Sequence, residues 1–229
     1  MFILNRLHER DTRSKWSIIR YGLLFWIVTR LLCMVLMVVC ASIYMLWGVN
    51  PRELTQFGGD PAYLLGQMGP LRIALLLLVF APLIEETLFR LGLSFRRIHA
   101  ALAAAALPVF FTYRCASPIT GAVGVAAALL FFAGVWFLTT DRQWARWRER
   151  GLRPAVWFTA ILFGLAHLKA FTVLNFTTLP FVLCLCCVPF FVGCVCTYYR
   201  VNLGFWWGVA AHVVNNIPPV ILMILMLKG

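Results

Sequence analysis

The chain has 229 residues, of which 62% are apolar and only 12% are charged, and its formal net charge is +12. This composition excludes a water-soluble globular domain, because a chain of this length cannot hide so much apolar sequence from water. It also argues against nucleic-acid binding, since basic residues on membrane proteins usually set the topology and no basic stretch with interleaved exposed aromatic residues occurs. We therefore expect an integral membrane protein, surrounded by lipid bilayer and with no nucleic acid among its partners.

Apolar segments that could cross a membrane as helices follow one another along the chain. A crossing takes about 20 apolar residues, and the first segment is too long for a cleaved signal peptide, whose apolar region has about 7–15 residues. The predicted spans are Tyr21–Trp47, Leu71–Phe95, Ile98–Tyr113, Pro118–Thr140, Pro154–Phe171, Thr172–Tyr199 and Leu203–Leu227. The predicted fold is an all-α polytopic transmembrane helix bundle, one domain over residues 1–229, with about seven spans and a range of roughly six to eight.

The basic residues are distributed unequally between the two sides of this predicted bundle. With seven crossings, most of them share a side with residues 1–20, and Arg30 lies inside the first span. The other side receives only Arg52, Arg72, Arg114, Lys169 and Lys228. Because cytoplasmic loops carry the excess of basic residues, residues 1–20 are predicted to form a cytoplasmic tail, and a bacterial plasma (inner) membrane is the expected location.

The chain has eight cysteines, and five of them crowd into one apolar segment: Cys184, Cys186, Cys187, Cys194 and Cys196. No C-x-x-C pair is matched by a second ligand pair elsewhere, so the spacing supports neither a metal site nor a disulfide framework. Buried cysteine mostly behaves as a small apolar residue. We therefore expect these side chains to pack within the bundle.

Two of the eight acidic residues, Glu85 and Glu86, and two of the four histidines, His167 and His212, lie inside apolar segments. Such residues are costly in a membrane and by default indicate function. Depth is counted from the basic residue at the predicted cytoplasmic end of each helix, at about 1.5 Å per residue. On this count Glu85, His167 and His212 lie at depths of about 17, 21 and 18 Å. Three helices thus place polar groups at one level of the bilayer, which predicts one shared site.

The spacing of polar residues within each helix predicts how they interact. Glu86 and Arg90 are four residues apart and can pair, as can His212 and Asn216, whereas Glu85 is turned about 100° from Glu86. A carboxylate and an imidazole can together take a proton from water. A second imidazole with an amide can stabilise the oxyanion that forms when this water attacks a peptide bond.

These residues resemble the motifs of the CPBP family of intramembrane endopeptidases, which includes the type II CAAX prenyl proteases. The family's E-E-x-x-x-R, F-x-x-x-H and H-x-x-x-N/D motifs correspond to Glu85–Arg90, Phe163–His167 and His212–Asn216. The resemblance covers a catalytic core of about residues 71–229, and the stretch from about Ala100 to Thr140 is a hairpin longer than the family pattern leads us to expect.

The resemblance implies an intramembrane hydrolase, a protease that cleaves a membrane protein or peptide, lipidated substrates included. It implies that Glu85 and His167 activate the water and that His212 and Asn216 form the oxyanion hole. Glu86 and Arg90 would support this arrangement. Phe163 would pack beside the substrate.

Other chemistries remain open at this stage. We expect no cofactor, and a zinc ion held by Glu85, His167 and His212 is the metal-dependent alternative. No H-E-x-x-H or rhomboid-like G-x-S-G motif occurs, and Asp60 in the sequence Gly-Gly-Asp has no partner aspartate in a helix. The alternative functions are a catalytically silent scaffold or bacteriocin-immunity-type protein of the same fold and, less favoured, a proton-coupled transporter.

Overall fold

The computed structural model describes residues 12–50, 69–112, 117–170 and 175–225, and within these ranges it contains helices and no strand. Residues 69–75 are helical and continue through a π-helical turn, Leu76–Phe80, into the helix Ala81–Arg90. Short 3-10 turns, Leu91–Ser94 and His167–Ala170, follow the helices Ala81–Arg90 and Asp141–Ala166. The seven α-helices of the described residues are α1 Lys15–Leu46, α2 Ala81–Arg90, α3 Arg97–Thr112, α4 Pro118–Leu138, α5 Asp141–Ala166, α6 Leu179–Leu203 and α7 Phe205–Leu225.

The predicted all-α membrane bundle is confirmed, and each predicted span corresponds to one helix. Among the described residues, α1, α4, α6 and α7 are long and apolar enough to cross a membrane. The α3 helix is shorter, with 16 residues. Both α2 and α5 carry charged residues that lower their mean hydropathy.

Three helix starts differ from the prediction. The first helix begins at Lys15 instead of Tyr21. The fifth helix begins at Asp141 and runs through Pro154, because Thr140 and Gln143 form a reciprocal capping box in the charged stretch between two predicted spans. The sixth begins at Leu179 instead of Thr172. The predicted ends Tyr113, Phe171 and Leu227 and residues 1–11 of the tail lie outside the described residues.

The α6 helix lies at the centre of the bundle and packs against α1, α5 and α7. Small residues allow these close approaches: a Cβ added at Gly22 of α1 would overlap the ring of Tyr199 on α6, and Val156 and Ala160 of α5 are fully buried in the same core. The α2 helix packs against α3, α5 and α7. The bundle thereby brings α2, α5 and α7, which carry the predicted site residues, next to one another.

The α3 and α4 helices form a hairpin at the edge of this bundle. The α4 helix packs mainly against α3, and only 6% of the 18-residue apolar stretch within it is buried in the protein. This hairpin accounts for the extra length that the sequence showed between Glu85 and His167. Described residues of α4 do not line the cavity described below, whereas Phe110 of α3 packs in one cluster with Phe89 and Phe163.

Candidate active site

Glu86 and Arg90 form a fully buried ion pair on α2. Nη1 of Arg90 lies 2.8 Å from Oε1 of Glu86, and neither side chain is more than 1% exposed. This is the contact that their spacing predicted. Nδ1 of His212 lies 2.9 Å from the same Oε1, so the carboxylate, which accepts from Arg90, also accepts from the imidazole and fixes its orientation.

Glu85 faces the other edge of the same imidazole. Its Oε2 lies 3.7 Å from Nε2 of His212, and the side chain is buried. This gap is too long for a direct hydrogen bond but allows one water molecule to contact both groups. His212 therefore lies between two adjacent glutamates, a placement that the sequence did not indicate.

The ring of Phe163 on α5 contacts both the ion pair and the two histidines. Arg90 lies over its ring, with Cζ 4.0 Å from the ring centroid. The ring also meets the rings of His167 and His212 edge-on, at centroid distances of 5.0 and 5.6 Å. Phe163 is 1% exposed, and this burial gives it a packing role in addition to its place in the cavity wall.

His167 lies where α5 tightens into its terminal 3-10 turn. Nδ1 lies 2.8 Å from the carbonyl oxygen of Phe163, and because that oxygen can only accept, Nδ1 donates. In the neutral ring Nε2 is then the acceptor. This is the tautomer that a histidine needs in order to take a proton from water.

Asn216 makes its hydrogen bonds to neighbours other than His212, and the predicted pairing of the two side chains around one oxygen atom stays a prediction. Nδ2 of Asn216 donates to the carbonyl oxygen of Leu77 at 3.0 Å, and Oδ1 accepts from Nδ2 of Asn215 at 3.0 Å. Leu77 belongs to the π-helical turn, whose wider hydrogen-bonding pattern the sequence did not reveal. Asn216 retains one amide N–H, because an NH₂ group has two donors.

A cavity of about 610 Å³ connects these groups. The lining includes Phe163, His167, His212 and Asn216. Glu85 and Glu86 do not line the cavity, but both contact His212, which does. Two further polar lining residues were not assigned to the site from sequence, Arg30 of α1 and Asn215 of α7. Arg30 is the one charged residue of the first predicted span, and this was the signal that could have identified it.

The potential metal ligands differ from the set named from sequence. Among the described residues, Glu86, Cys196 and His212 each offer a ligand atom within 4.8 Å of the others. These residues fit a zinc ion poorly, because the Arg90 guanidinium already binds Oε1 of Glu86 and would repel a second cation. His167 and Glu85 do not belong to this group.

Comparison with known proteins adds one match. No curated protein and no solved structure matches the chain. Residues 67–218 match the family model described as type II CAAX prenyl endopeptidase Rce1-like. This segment covers about two thirds of the chain, includes Glu85, His167 and Asn216, and leaves α1 outside. The chain therefore belongs to the Rce1-like family of type II CAAX prenyl endopeptidases.

Proposed function

We propose that this protein is an intramembrane endopeptidase that hydrolyses a peptide bond of a membrane-associated protein or peptide. The observation that carries the proposal is the buried cluster of Glu85, Glu86, Arg90 and His212 at the wall of a cavity inside a helix bundle. Family membership supports it. A buried cluster of charges beside a cavity is costly to maintain in a membrane and indicates chemistry more than packing.

Glu85 is the proposed general base. A water molecule held between Oε2 of Glu85 and the imidazoles gives a proton to the carboxylate as its oxygen attacks the substrate carbonyl carbon. Nε2 of His167 accepts a hydrogen bond from this water, since Nδ1 is committed to the carbonyl oxygen of Phe163. The proton then passes to the nitrogen of the leaving amine as the C–N bond breaks.

His212 and Asn216 are the proposed donors to the oxyanion. Glu86 and Arg90 hold His212 through Nδ1, so that Nε2 is directed away from the ion pair. When both ring nitrogens carry a proton, the ring donates from Nε2. The free amide N–H of Asn216 is a second donor, and an oxyanion-hole donor typically contributes about 10²–10³ to the rate.

Cleavage in isolated membranes tests this proposal. Peptides released from membrane and lipidated proteins are compared by mass spectrometry between the wild type, Glu85→Gln and His167→Ala at matched expression. We expect products to fall about 10²-fold or more in both variants, because each loses a group that handles the proton. Glu149→Gln and His99→Ala are the matched controls, since neither residue lines the cavity, and they should cleave as the wild type does.

The alternatives predict different results in the same experiment. Identical products from the wild type and both variants would favour the silent scaffold. Loss of products on addition of a chelator would favour zinc. A proton flux across vesicles that depends on Glu85, with products unchanged, would favour the transporter.

A further inference from the structure

A second cavity, of about 520 Å³, lies on the predicted cytoplasmic side of the bundle. The turn after α2, the starts of α3 and α7, the last turn of α6 and one side of α5 form its wall. Glu85, His167 and His212 do not line it, so it is separate from the cavity of the proposed active site. Its volume is within the range of about 300–1,000 Å³ that is typical of ligand sites.

We call it the basic cavity, because three arginines line it: Arg96 before α3, Arg148 of α5 and Arg200 in the last turn of α6. No acidic residue belongs to its lining in the part of the chain that the structure describes. Arg96 lies within electrostatic range of Arg200 and of His99, which also lines the cavity. Positive groups that face one space without an acid between them favour an anion there.

Arg200 has a donor that nothing in the described protein satisfies. Its Nε is buried and has no hydrogen-bond partner among the described residues. The ion pairs of these residues do not include Arg200 either. The charge of Glu86 attracts Arg200, but Oε1 of Glu86 is already bound by Arg90 and His212. A buried donor without an acceptor costs free energy, and an anion in the basic cavity would remove that cost.

The rest of the wall indicates what kind of anion fits. It is apolar and consists of Leu91, Leu93, Leu152, Val201, Phe205 and Trp206, apart from Ser94. The Trp206 side chain is 70% exposed, and tryptophan is enriched at the level of the lipid headgroups. A free phosphate would make no use of these apolar side chains, whereas a phospholipid offers a charged phosphate and the beginning of its acyl chains. Basic pockets between membrane helices on the cytoplasmic side suit such headgroups.

We infer that the basic cavity binds the phosphate headgroup of an anionic phospholipid from the cytoplasmic leaflet. The guanidinium groups of Arg96, Arg148 and Arg200 donate to the phosphate oxygens, since their planar forks match phosphate geometry. The acyl chains pass along Phe205 and Trp206 into the bilayer. The inference does not rest on the proposed function, because it concerns a separate cavity and is measured by binding.

Native mass spectrometry of the purified full chain in detergent tests this inference. Dioleoyl phosphatidylglycerol, which is anionic, and dioleoyl phosphatidylcholine, which has the same chains and no net charge, are added at equal concentrations. We expect the first phosphatidylglycerol to bind about tenfold or more tightly than phosphatidylcholine, because each basic residue near a headgroup adds to the attraction of an anionic lipid. Sodium phosphate in large excess should leave the lipid bound, since it makes no apolar contacts.

Variants with equal changes of charge separate the basic cavity from the overall basic charge of the protein. Arg96→Gln/Arg148→Gln removes two exposed arginines that line the cavity and should lose most of the preference for phosphatidylglycerol. Arg146→Gln/Arg150→Gln is the matched control, because it removes two exposed arginines of α5 that do not line this cavity, and it should keep the preference. Arg200→Lys keeps the charge but lacks the buried Nε donor, so it should weaken binding in part.

The same measurements can overturn the inference. It fails if the wild type binds the two lipids equally or binds neither, or if Arg96→Gln/Arg148→Gln keeps the preference. Equal losses in the two double variants would assign the effect to the overall charge. Displacement of the lipid by sodium phosphate would show that the cavity takes a soluble phosphate instead. A protein that binds the lipid as expected and cleaves nothing contradicts only the proposed function.

Discussion

Glu85 and Glu86 are adjacent in sequence but have different surroundings. Glu86 is fully buried and contacts Arg90 and His212, whereas the ion-pair partner of Glu85 among the described residues is His212, at 3.7 Å. A carboxylate engaged by a guanidinium is a poor base, since the pair stabilises its ionised form. The contacts therefore distinguish a structural glutamate from one that is available to water.

The ion pair between Glu86 and Arg90 should be essential for stability. Arg90→Met leaves the Glu86 carboxylate without its cation in the protein interior, and removal of one partner of a buried pair typically costs about 3–5 kcal/mol. We expect a large fall in the thermal unfolding temperature of the purified protein in detergent. The double variant Glu86→Gln/Arg90→Met removes both charges and should regain most of the loss. A double variant no more stable than Arg90→Met would show that the unpaired charge is not the cause.

Most of the residues that form this site could be identified from the sequence, but their contacts could not. Charged and imidazole side chains inside apolar segments can be recognised directly in the sequence, because such residues are rare in membrane-spanning helices. The placement of His212 between two glutamates depends on how α7 rotates against α2. Arg30 and Asn215 can contact each other because α1 and α7 both pack against α6, an arrangement that helix periodicity alone does not determine.

The helices approach closely where one of them lacks a side chain. A Cβ added at Gly164 of α5 would lie 2.9 Å from Cβ of Phe190 and 3.2 Å from the carbonyl oxygen of Cys186, both on α6. These atoms belong to the helix backbone or lie next to it, so they cannot move aside as the end of a flexible side chain can. The short distance between α5 and α6 therefore depends on the absence of a side chain at Gly164.

Gly164→Ala should push α5 away from α6. Overpacking of this kind typically costs about 1–3 kcal/mol, and we expect a lower unfolding temperature together with reduced cleavage, since Phe163 and His167 lie on the same helix. Gly134→Ala on α4 is the control: a Cβ there meets nothing within 4 Å, and the change should be neutral or slightly stabilising. Equal effects of the two substitutions would contradict this account of the packing.

The orientation of the whole molecule is predicted by its charge. The N-terminal half of α5 extends the bundle on its basic side with Arg142, Arg146, Arg148 and Arg150. Because basic residues are retained in the cytoplasm, the N-terminus is expected inside and, after seven crossings, the C-terminus outside.

Reporter fusions in a bacterial host test this orientation. Green fluorescent protein, which matures in the cytoplasm, should fluoresce at the N-terminus and remain dark at the C-terminus. Alkaline phosphatase, which needs an oxidising compartment for its disulfides, should be active only at the C-terminus. The opposite pattern would reverse the orientation, and activity of the same reporter at both ends would require an even number of crossings.

The π-helical turn at Leu76–Phe80 contains no polar residue, yet it sets the rotational phase of the helix that follows it. A π turn accommodates one more residue than a regular turn, and one residue corresponds to a rotation of about 100° about the helix axis. Every side chain of α2 is therefore rotated by about that angle from the position it would have if residues 69–75 continued as a regular α-helix. The direction in which the two glutamates face is thus determined by the length of the apolar turn that precedes them, and not by their own identity.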